Sequence, residues 1–266
     1  MPNRRNVYFF YKPEEKYEQK VQSIFQLAKQ YDFTIVNDYR KANIIVAIGG
    51  DGTFLQAVHK TGFKDDCLYA GIATGETLSF YCDFHIDDTE KIVEAITSEQ
   101  IEVRRYPFIN VTIDGNTKFQ CLNECTVRSG IIKTFVVEVF IDDLHFETFR
   151  GDGMIVSTPT GSTAYNKSVR GAVVDPMLSS IQVSELASLN NNHYRTLGSP
   201  FILSGERKLT LEVVQDGNDY PVIGLDNEAL GIRNVQKLEI SLSDTKIKTV
   251  KLKDNSFWEK VRRTFL

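Results

Sequence analysis

The sequence has no long apolar run, few cysteines and no excess of basic charge. Its 266 residues contain no stretch near the roughly 20 apolar residues that cross a bilayer, so we expect no membrane contact. The N-terminus has two arginines and a short apolar run, without a signal-peptide cleavage site. A net charge of −4 argues against a nucleic-acid partner. The four cysteines match no disulfide framework, which predicts a soluble, cytoplasmic protein.

The overall composition of the chain is that of a globular protein. Hydrophobic residues make up 42% of the chain and charged residues 25%, unlike the profile of a disordered chain. The length suits one large or two modest domains. Over residues 1–100, short apolar runs alternate with helical stripes, and Asn43–Ile48 is almost continuously apolar. This pattern is typical of βαβ units with a buried parallel strand, and we predict an α/β N-terminal domain.

Beyond residue 100 the apolar period becomes two. Runs on either side of Asp114-Gly115-Asn116 and of Asp142-Asp143 predict β-hairpins, with one helical interruption over Ala164–Val173. We therefore predict a β-rich domain over residues 101–252. The tail, residues 253–266, is too apolar to remain free, so we expect it to dock on a domain.

A glycine-rich turn, Gly49-Gly50-Asp51-Gly52-Thr53, follows the apolar run Asn43–Ile48 and precedes a helical pattern. Glycines there let backbone N–H groups approach a phosphate, and a helix N-terminus favours negative charge. A carboxylate in such a turn is repelled by phosphate unless it holds a cation or accepts a proton from an attacking hydroxyl. The alternative is a tight turn that Asp51 caps.

Two further segments carry polar groups at sharp chain positions. The run Ser157–Tyr165 (STPTGSTAY) offers hydroxyl groups suited to ribose and phosphate oxygens, and Arg150–Gly153 (RGDG) lies just upstream. The pair Asn123-Glu124 ends a hairpin strand and would suit a ribose diol. Taken alone, the hydroxyl run is better explained as a solvated Ser/Thr loop, and Asn123-Glu124 is explained equally well as a polar strand end.

In this order, the motifs GGDGT, Asn-Glu, Gly-Asp-Gly and TPTGSTAY resemble the bacterial NAD kinases over nearly the whole chain. The resemblance implies an α/β domain, a β-rich domain and a homotetramer in which a neighbouring subunit completes the site. It also implies transfer of a phosphoryl group from ATP, or polyphosphate, to the adenosine 2′-hydroxyl of NAD, giving NADP. Mg²⁺ or another divalent cation would accompany ATP, with no cage of protein ligands.

The resemblance also implies roles for particular residues. Asp51 would activate the ribose hydroxyl, and Gly50, Gly52 and Thr53 would form the phosphate turn. The residues expected to bind NAD are Phe80, Asn123, Glu124, Arg150, Asp152, Thr160, Thr163, Ala164, Tyr165, Ser168, Ala187, Asp226 and Asn227. Asp152 would act on the nicotinamide side, from a neighbouring subunit.

The chain departs from the family pattern at two places. The family usually has Thr-Gly-His-Leu-Gly-Phe where this chain has Thr74-Gly75-Glu76-Thr77-Leu78-Ser79-Phe80, although Phe80 and Tyr81 keep an aromatic pair that would line the adenine pocket. Asn227 also replaces the glycine that often follows Asp226.

Two other functions are compatible with parts of this pattern. A lipid kinase of the diacylglycerol or sphingosine type shares the GGDGT turn, but would need a membrane-docking segment that the sequence does not offer. A non-catalytic dinucleotide sensor would have no need of Asp51 inside a phosphate turn.

Overall fold

The computed structural model describes residues 5–75, 79–98, 100–215, 221–232 and 234–266. Most of the departure from the family loop, at Glu76–Leu78, lies outside them. The helices are α1 (Glu15–Gln30), α2 (Asp51–Thr61), α3 (Thr89–Thr97), α4 (Tyr165–Ser168) and α5 (Phe257–Phe265), with 3-10 turns at Tyr39–Lys41 and Thr160–Thr163. None of the described helices is long and apolar enough to cross a bilayer.

The strands, in chain order, are β1 (Asn6–Tyr11), β2 (Thr34–Ile35), β3 (Ile44–Ile48), β4 (Leu68–Ala73), β5 (Phe84–His85), β6 (Ile101–Ile113), β7 (Thr117–Cys121), β8 (Glu124–Arg128), β9 (Phe135–Ile141), β10 (Leu144–Gly151), β11 (Gly153–Ser157), β12 (Ser180–Leu186), β13 (Phe201–Ser204), β14 (Leu209–Val213), β15 (Val222–Leu225), β16 (Glu228–Gly231) and β17 (Lys237–Leu252). The chain forms two compact units. The first takes the described residues up to Tyr106 and those from Lys246 to Leu266, and the second takes those from Pro107 to Thr245.

The first unit is built on parallel strands in the order β2-β1-β3-β4. β3 pairs in parallel with β1 and β4, which confirms the predicted buried parallel strand. The late part of β17 adds to β4, with Lys248 opposite Leu68. Val7, Ile24 and Ile72 belong to the core, because α1 directs its apolar stripe at the sheet.

The second unit is antiparallel. One set of strands pairs in the order β10-β9-β14-β17, and a six-stranded sheet has the order β13-β12-β11-β8-β15-β16. Buried residues of both sets, among them Val139 and Val156, share one core. The predicted hairpins are confirmed, since β6 pairs with β7 and β9 with β10. The predicted turn at residues 216–219 lies outside the described residues.

The helical interruption is shorter than the pattern predicts. α4 ends at Ser168, and Arg170 adopts a left-handed φ of 66°. Gly171 follows, and its N–H donates to the carbonyl of Asn166 at 3.0 Å. These local bonds close the helix before Val173.

Candidate active site

The glycine turn has one glycine that the fold requires and two that it does not. Gly49 has a φ of +153°, and a Cβ there would lie 2.3 Å from Oγ1 of Thr53. At Gly50 and Gly52, a Cβ would meet no atom within 4 Å among the described residues, and both positions are exposed. Packing therefore does not explain these two glycines, and their backbone is open to close approach.

The turn opens directly into α2. Gly50 is the N-cap, and the N–H groups of Thr53 and Phe54 donate to its carbonyl at 3.0 and 3.1 Å. The first N–H groups of a helix have no partner within it and carry partial positive charge. Lys12 and Thr74 line a recess beside the turn, with Glu14 on the same rim. This end of α2 has the features of an anion site.

Asp51 is oriented by a different segment of the chain. Its Oδ2 accepts the Phe80 N–H at 3.0 Å, and its Oδ1 accepts the Tyr81 N–H at 2.7 Å. The carboxylate thus bonds to the segment after β4, while Gly50 caps α2 without a side-chain bond. A carboxylate oxygen offers about two lone pairs, so each oxygen of Asp51 can still accept one more hydrogen bond.

The two aromatic residues after β4 have different surroundings. The Tyr81 ring stacks on Phe54 at 4.8 Å and is 2% exposed, so it belongs to the core of the first unit. The Phe80 ring is half-buried and lies 6.1 Å from the ring of Phe257 and 5.8 Å from that of Phe265. Both partners of Phe80 are on α5.

In the second unit, Asp226 holds the Asn123-Glu124 segment. Its carboxylate accepts the N–H groups of Leu122 at 2.8 Å, Asn123 at 2.7 Å and Glu124 at 3.1 Å. Asp226 begins the turn between β15 and β16 with a φ of 54°, a conformation that Asp tolerates better than most residues. The predicted residue Asp226 therefore contacts the predicted pair directly.

The hydroxyl run forms hydrogen bonds with the backbone carbonyl groups of Asn123 and the residue before it. Oγ1 of Thr158 donates to the carbonyl of Leu122 at 2.6 Å, and the Thr158 N–H donates to that of Asn123 at 2.8 Å. A Cβ at Gly161 would lie 2.1 Å from the Asn123 carbonyl oxygen, so only glycine fits. The motif pattern indicates no role for Thr158 or Gly161, because both act on backbone that only the tertiary fold brings to them.

Glu124 has a buried carboxyl group that can form further hydrogen bonds. Its Oε2 is buried and has no hydrogen-bond partner among the described residues. Burial, and then the nearby Asp226 carboxylate, raise the pKa of Glu124 to about 8, although the Tyr165 N–H opposes the shift. Near neutral pH the group is largely protonated and can both donate to and accept from a hydroxyl.

The remaining residues of the hydroxyl run lie on the 3-10 turn and α4. Thr160 has a buried Oγ1 with no partner among the described residues, and Thr163 donates to the Thr160 carbonyl at 3.2 Å. Ala164 precedes α4, and Ser168 ends it, exposed. The Tyr165 hydroxyl accepts from Arg128 at 3.3 Å.

The Gly-Asp-Gly turn exposes its aspartate. A Cβ at Gly151 would meet the Leu186 carbonyl at 2.6 Å, and one at Gly153 would meet that of Val127 at 2.3 Å, so the backbone is tightly packed. The Asp152 side chain is exposed and lines one hollow with Ala187.

Two more predicted residues lie at the surface of the second unit. The Arg150 guanidinium is 4.5 Å from the centre of the Tyr194 ring, and Asn227 is exposed next to Asp226. Within the described ranges, no group of three or more His, Cys, Asp or Glu side chains could hold a metal ion.

These features define a class of protein: a parallel α/β unit with an open glycine turn, and a β-rich unit with a buried amide–carboxyl pair. Residues 122–252 match the family model of the ATP-NAD kinase C-terminal domain. The chain is 69% identical to NAD kinase 2 of Bacillus subtilis, covering 99% of this chain and 98% of that one. It is 62% identical to NAD kinase 2 of Geobacillus kaustophilus with the same coverage.

Two solved structures share the fold. Yeast NADH kinase complexed with NADH has a TM-score of 0.82 at 20% identity, covering 98% of this chain and 87% of that one. An NAD kinase from Archaeoglobus fulgidus in complex with ATP has a TM-score of 0.75 at 23% identity, covering 98% and 97%. The chain belongs to the NAD kinase family. The predicted family and the predicted fold class, α/β followed by β-rich, are confirmed.

Proposed function

We propose that this protein transfers a phosphoryl group from ATP to the adenosine 2′-hydroxyl of NAD, which yields NADP and ADP. Full-length identity of 62–69% to NAD kinase 2 chains carries this conclusion and does not favour the lipid-kinase alternative. The oriented carboxylate of Asp51 supports an enzyme over a sensor, because binding alone does not need it.

In this proposal Asp51 is the general base. The 2′-oxygen attacks the γ-phosphorus, its proton passes to the Asp51 carboxylate, and the bond from γ-phosphorus to the β,γ-bridging oxygen breaks as ADP leaves. The Phe80 and Tyr81 N–H groups hold the carboxylate at 3.0 and 2.7 Å. Holding the base in one orientation lowers the entropy cost of proton transfer.

The open turn supports binding of the triphosphate. Backbone N–H groups of Gly50 and Gly52 would contact phosphate oxygens at the positive end of α2, and Thr53 would complete the phosphate turn. ATP would enter as its Mg²⁺ complex, with the cation neutralising phosphate charge. Polyphosphate presents the same oxygens and is the proposed alternative donor.

The second unit supports binding of NAD. The buried side chain of Asn123 and the unpartnered Oε2 of Glu124 would bond to ribose hydroxyl groups, and the unpartnered hydroxyl of Thr160 would find its partner on the dinucleotide. Asp226 would act on NAD through the backbone it holds. The other residues proposed to contact NAD are Phe80, Arg150, Asp152, Thr163, Ala164, Tyr165, Ser168, Ala187 and Asn227.

We also propose a cytoplasmic homotetramer. The four cysteines are buried free thiols, which suits a reducing compartment. The hollow that Asp152 lines is also lined by three apolar side chains, Ile131, Ile132 and Leu189. All three are exposed. Apolar exposure of this kind favours contact with another subunit.

The direct test is NADP formation from NAD and ATP with Mg²⁺. Asp51→Asn removes the base and turns one acceptor oxygen into an NH₂ group that faces the Phe80 or Tyr81 N–H. NAD affinity should persist while kcat falls by about 10²–10⁴-fold, the contribution expected of a general base. NAD binding by wild-type protein without turnover would support the sensor. Normal turnover by Asp51→Asn would remove Asp51 from this role.

A further inference from the structure

Two lysine side chains are fully buried beside a single carboxylate in the first unit. Lys251 comes from β17 and Lys260 from α5, and both contact Oδ1 of Asp83, Lys251 at 3.3 Å. The other Asp83 oxygen accepts the Leu252 N–H at 2.8 Å. One carboxylate cannot neutralise two ammonium groups, so the cluster needs further acceptors.

Backbone carbonyl groups supply these acceptors. Nζ of Lys260 donates to the Phe80 carbonyl at 2.7 Å, and Nζ of Lys251 donates to the Tyr81 carbonyl at 2.5 Å. The two lysines therefore bind neighbouring peptide groups of the segment that orients Asp51.

Only one of these peptide groups leads to Asp51. The Phe80 carbonyl and the Tyr81 N–H belong to the same peptide plane, and that N–H donates to Oδ1 of Asp51 at 2.7 Å. Lys260 is thus linked to Asp51 through a single peptide group. A cation on the carbonyl side polarises the peptide and strengthens its N–H as a donor. Lys251 binds the next peptide, whose N–H belongs to Cys82.

The helix that carries Lys260 also holds the side chain of Phe80. Phe257 and Phe265 of α5 lie against the Phe80 ring, and Ser256 caps the helix by accepting the Glu259 N–H at 3.1 Å. α5 therefore fixes Phe80 by both its ring and its carbonyl group, which leaves the peptide little freedom to rotate.

We propose that Lys260 is a positioning residue for the phosphoryl transfer: through the Phe80–Tyr81 peptide it fixes the Asp51 carboxylate in the orientation that accepts the hydroxyl proton. The proposal rests on the function proposed above for Asp51, and it makes α5 part of the machinery for turnover.

The charges around Lys260 make its contribution sensitive to pH. Burial, and then the Lys251 ammonium, lower the pKa of Lys260 to about 7; Asp83 opposes this shift and Arg104 adds to it. Cys82 faces the same cluster, and burial raises the pKa of its thiol to about 11. Removing Lys251 should therefore keep Lys260 charged to higher pH.

The chain offers a matched pair of variants. Lys260→Met and Lys251→Met each remove one buried ammonium from Asp83, but only the first breaks the link to Asp51. With the full-length protein, MgATP and NAD, we expect kcat to fall about 10- to 100-fold in Lys260→Met, the scale of a misplaced catalytic group, with little change in KM for NAD. Lys251→Met should keep kcat within about threefold, and its kcat should persist to higher pH than that of the wild type.

A double variant separates positioning from general loss of stability. Lys260→Met in the Asp51→Asn background should lower kcat no further than Asp51→Asn alone, because Lys260 acts on turnover only through the Asp51 carboxylate. Equal losses in Lys260→Met and Lys251→Met, or a full additional loss in the double variant, would overturn the proposal. Undiminished turnover by Asp51→Asn would instead overturn the proposed role of Asp51.

If the methionine variants do not fold, Lys260→Arg and Lys251→Arg give the same comparison with charge retained. The planar guanidinium places its donors differently from an ammonium group. We expect a loss of kcat at position 260 and near-normal kcat at 251. The same kcat in both arginine variants would count against a positioning role for Lys260.

Discussion

The carboxylate of Asp226 fixes the backbone of Asn123: its Oδ1 accepts the Asn123 N–H at 2.7 Å, across 103 positions of sequence. The same oxygen accepts the Glu124 N–H at 3.1 Å. Asn123 and Glu124, both proposed to bind NAD, therefore take their positions from a turn far along the chain.

We predict that Asp226→Asn weakens NAD binding. The amide has one acceptor oxygen and places an NH₂ donor against backbone N–H groups, while Asn tolerates the same positive φ. Buried groups left unpaired cost about 1–3 kcal/mol, so calorimetry should show an NAD Kd raised by about one order of magnitude or more.

Asp114→Asn is the matched control for that change. Asp114 also has a positive φ, 48°, and its Oδ1 accepts the N–H groups of Gln236 at 3.0 Å and Lys237 at 2.8 Å. It should lower stability without changing the NAD Kd. An equal effect of both variants on NAD would argue against a specific role for Asp226.

A second prediction concerns stability against pH without NAD. Burial raises the pKa of Glu124 from 4.5 to about 8. The contribution of Glu124 to the stability of the fold is therefore fully present below about pH 4.5 and is lost progressively as pH rises from there through 8. Gln resembles the protonated carboxyl group. Thermal unfolding of Glu124→Gln should match the wild type near pH 5 and show a higher Tm near pH 9. A difference in Tm that does not depend on pH would contradict this.

The third prediction separates two glycines of one turn. Gly52→Ala adds a methyl group in open space within a helix, where Ala is favoured over Gly by about 1 kcal/mol, so Tm should be kept or raised. The methyl group should nevertheless obstruct phosphate and raise the KM for ATP about tenfold. Gly49→Ala should instead lower stability by about 1–3 kcal/mol, because it combines a positive φ with a close contact to Thr53.

The control for Gly52 is Gly231→Ala. A Cβ at Gly231 would also meet no atom within 4 Å among the described residues, but this position is on β16. Its KM for ATP should equal that of the wild type. If Gly52→Ala behaves the same way, the turn does not contact the triphosphate.

The fourth prediction tests the shared site. If Asp152 acts on NAD bound to another subunit, Asp51→Asn subunits mixed with Asp152→Ala subunits should regain part of the activity, because some sites then have both native residues. Native mass spectrometry would verify subunit exchange. A mixture that exchanges but stays inactive would place both residues in one chain's site.

Local patterns in the sequence account for much of the fold. The run Asn43–Ile48 predicts a buried parallel strand because its apolar residues are contiguous, and Asp114-Gly115-Asn116 predicts a hairpin because the turn chemistry lies within three residues. The open turn at Gly50 and Gly52 follows from the same local reasoning.

The supports of the candidate site could not be predicted in this way. Lys260 lies 177 positions from Asp83, and a lysine on an amphipathic helix ordinarily faces solvent. Asp226 acts on backbone N–H groups, which leave no trace in the side-chain pattern. The burial that raises the pKa of Glu124 likewise depends on strands brought together only by the tertiary fold.

The return of the last residues to the first unit has a consequence for synthesis on the ribosome. Asp83 is made 168 positions before Lys251 and 177 before Lys260. At roughly 5–20 residues per second, the nascent carboxylate waits roughly 9–35 s for its cations. Until then the Phe80–Tyr81 segment lacks its lysines and α5, so the first unit, although most of its sequence emerges first, is completed last.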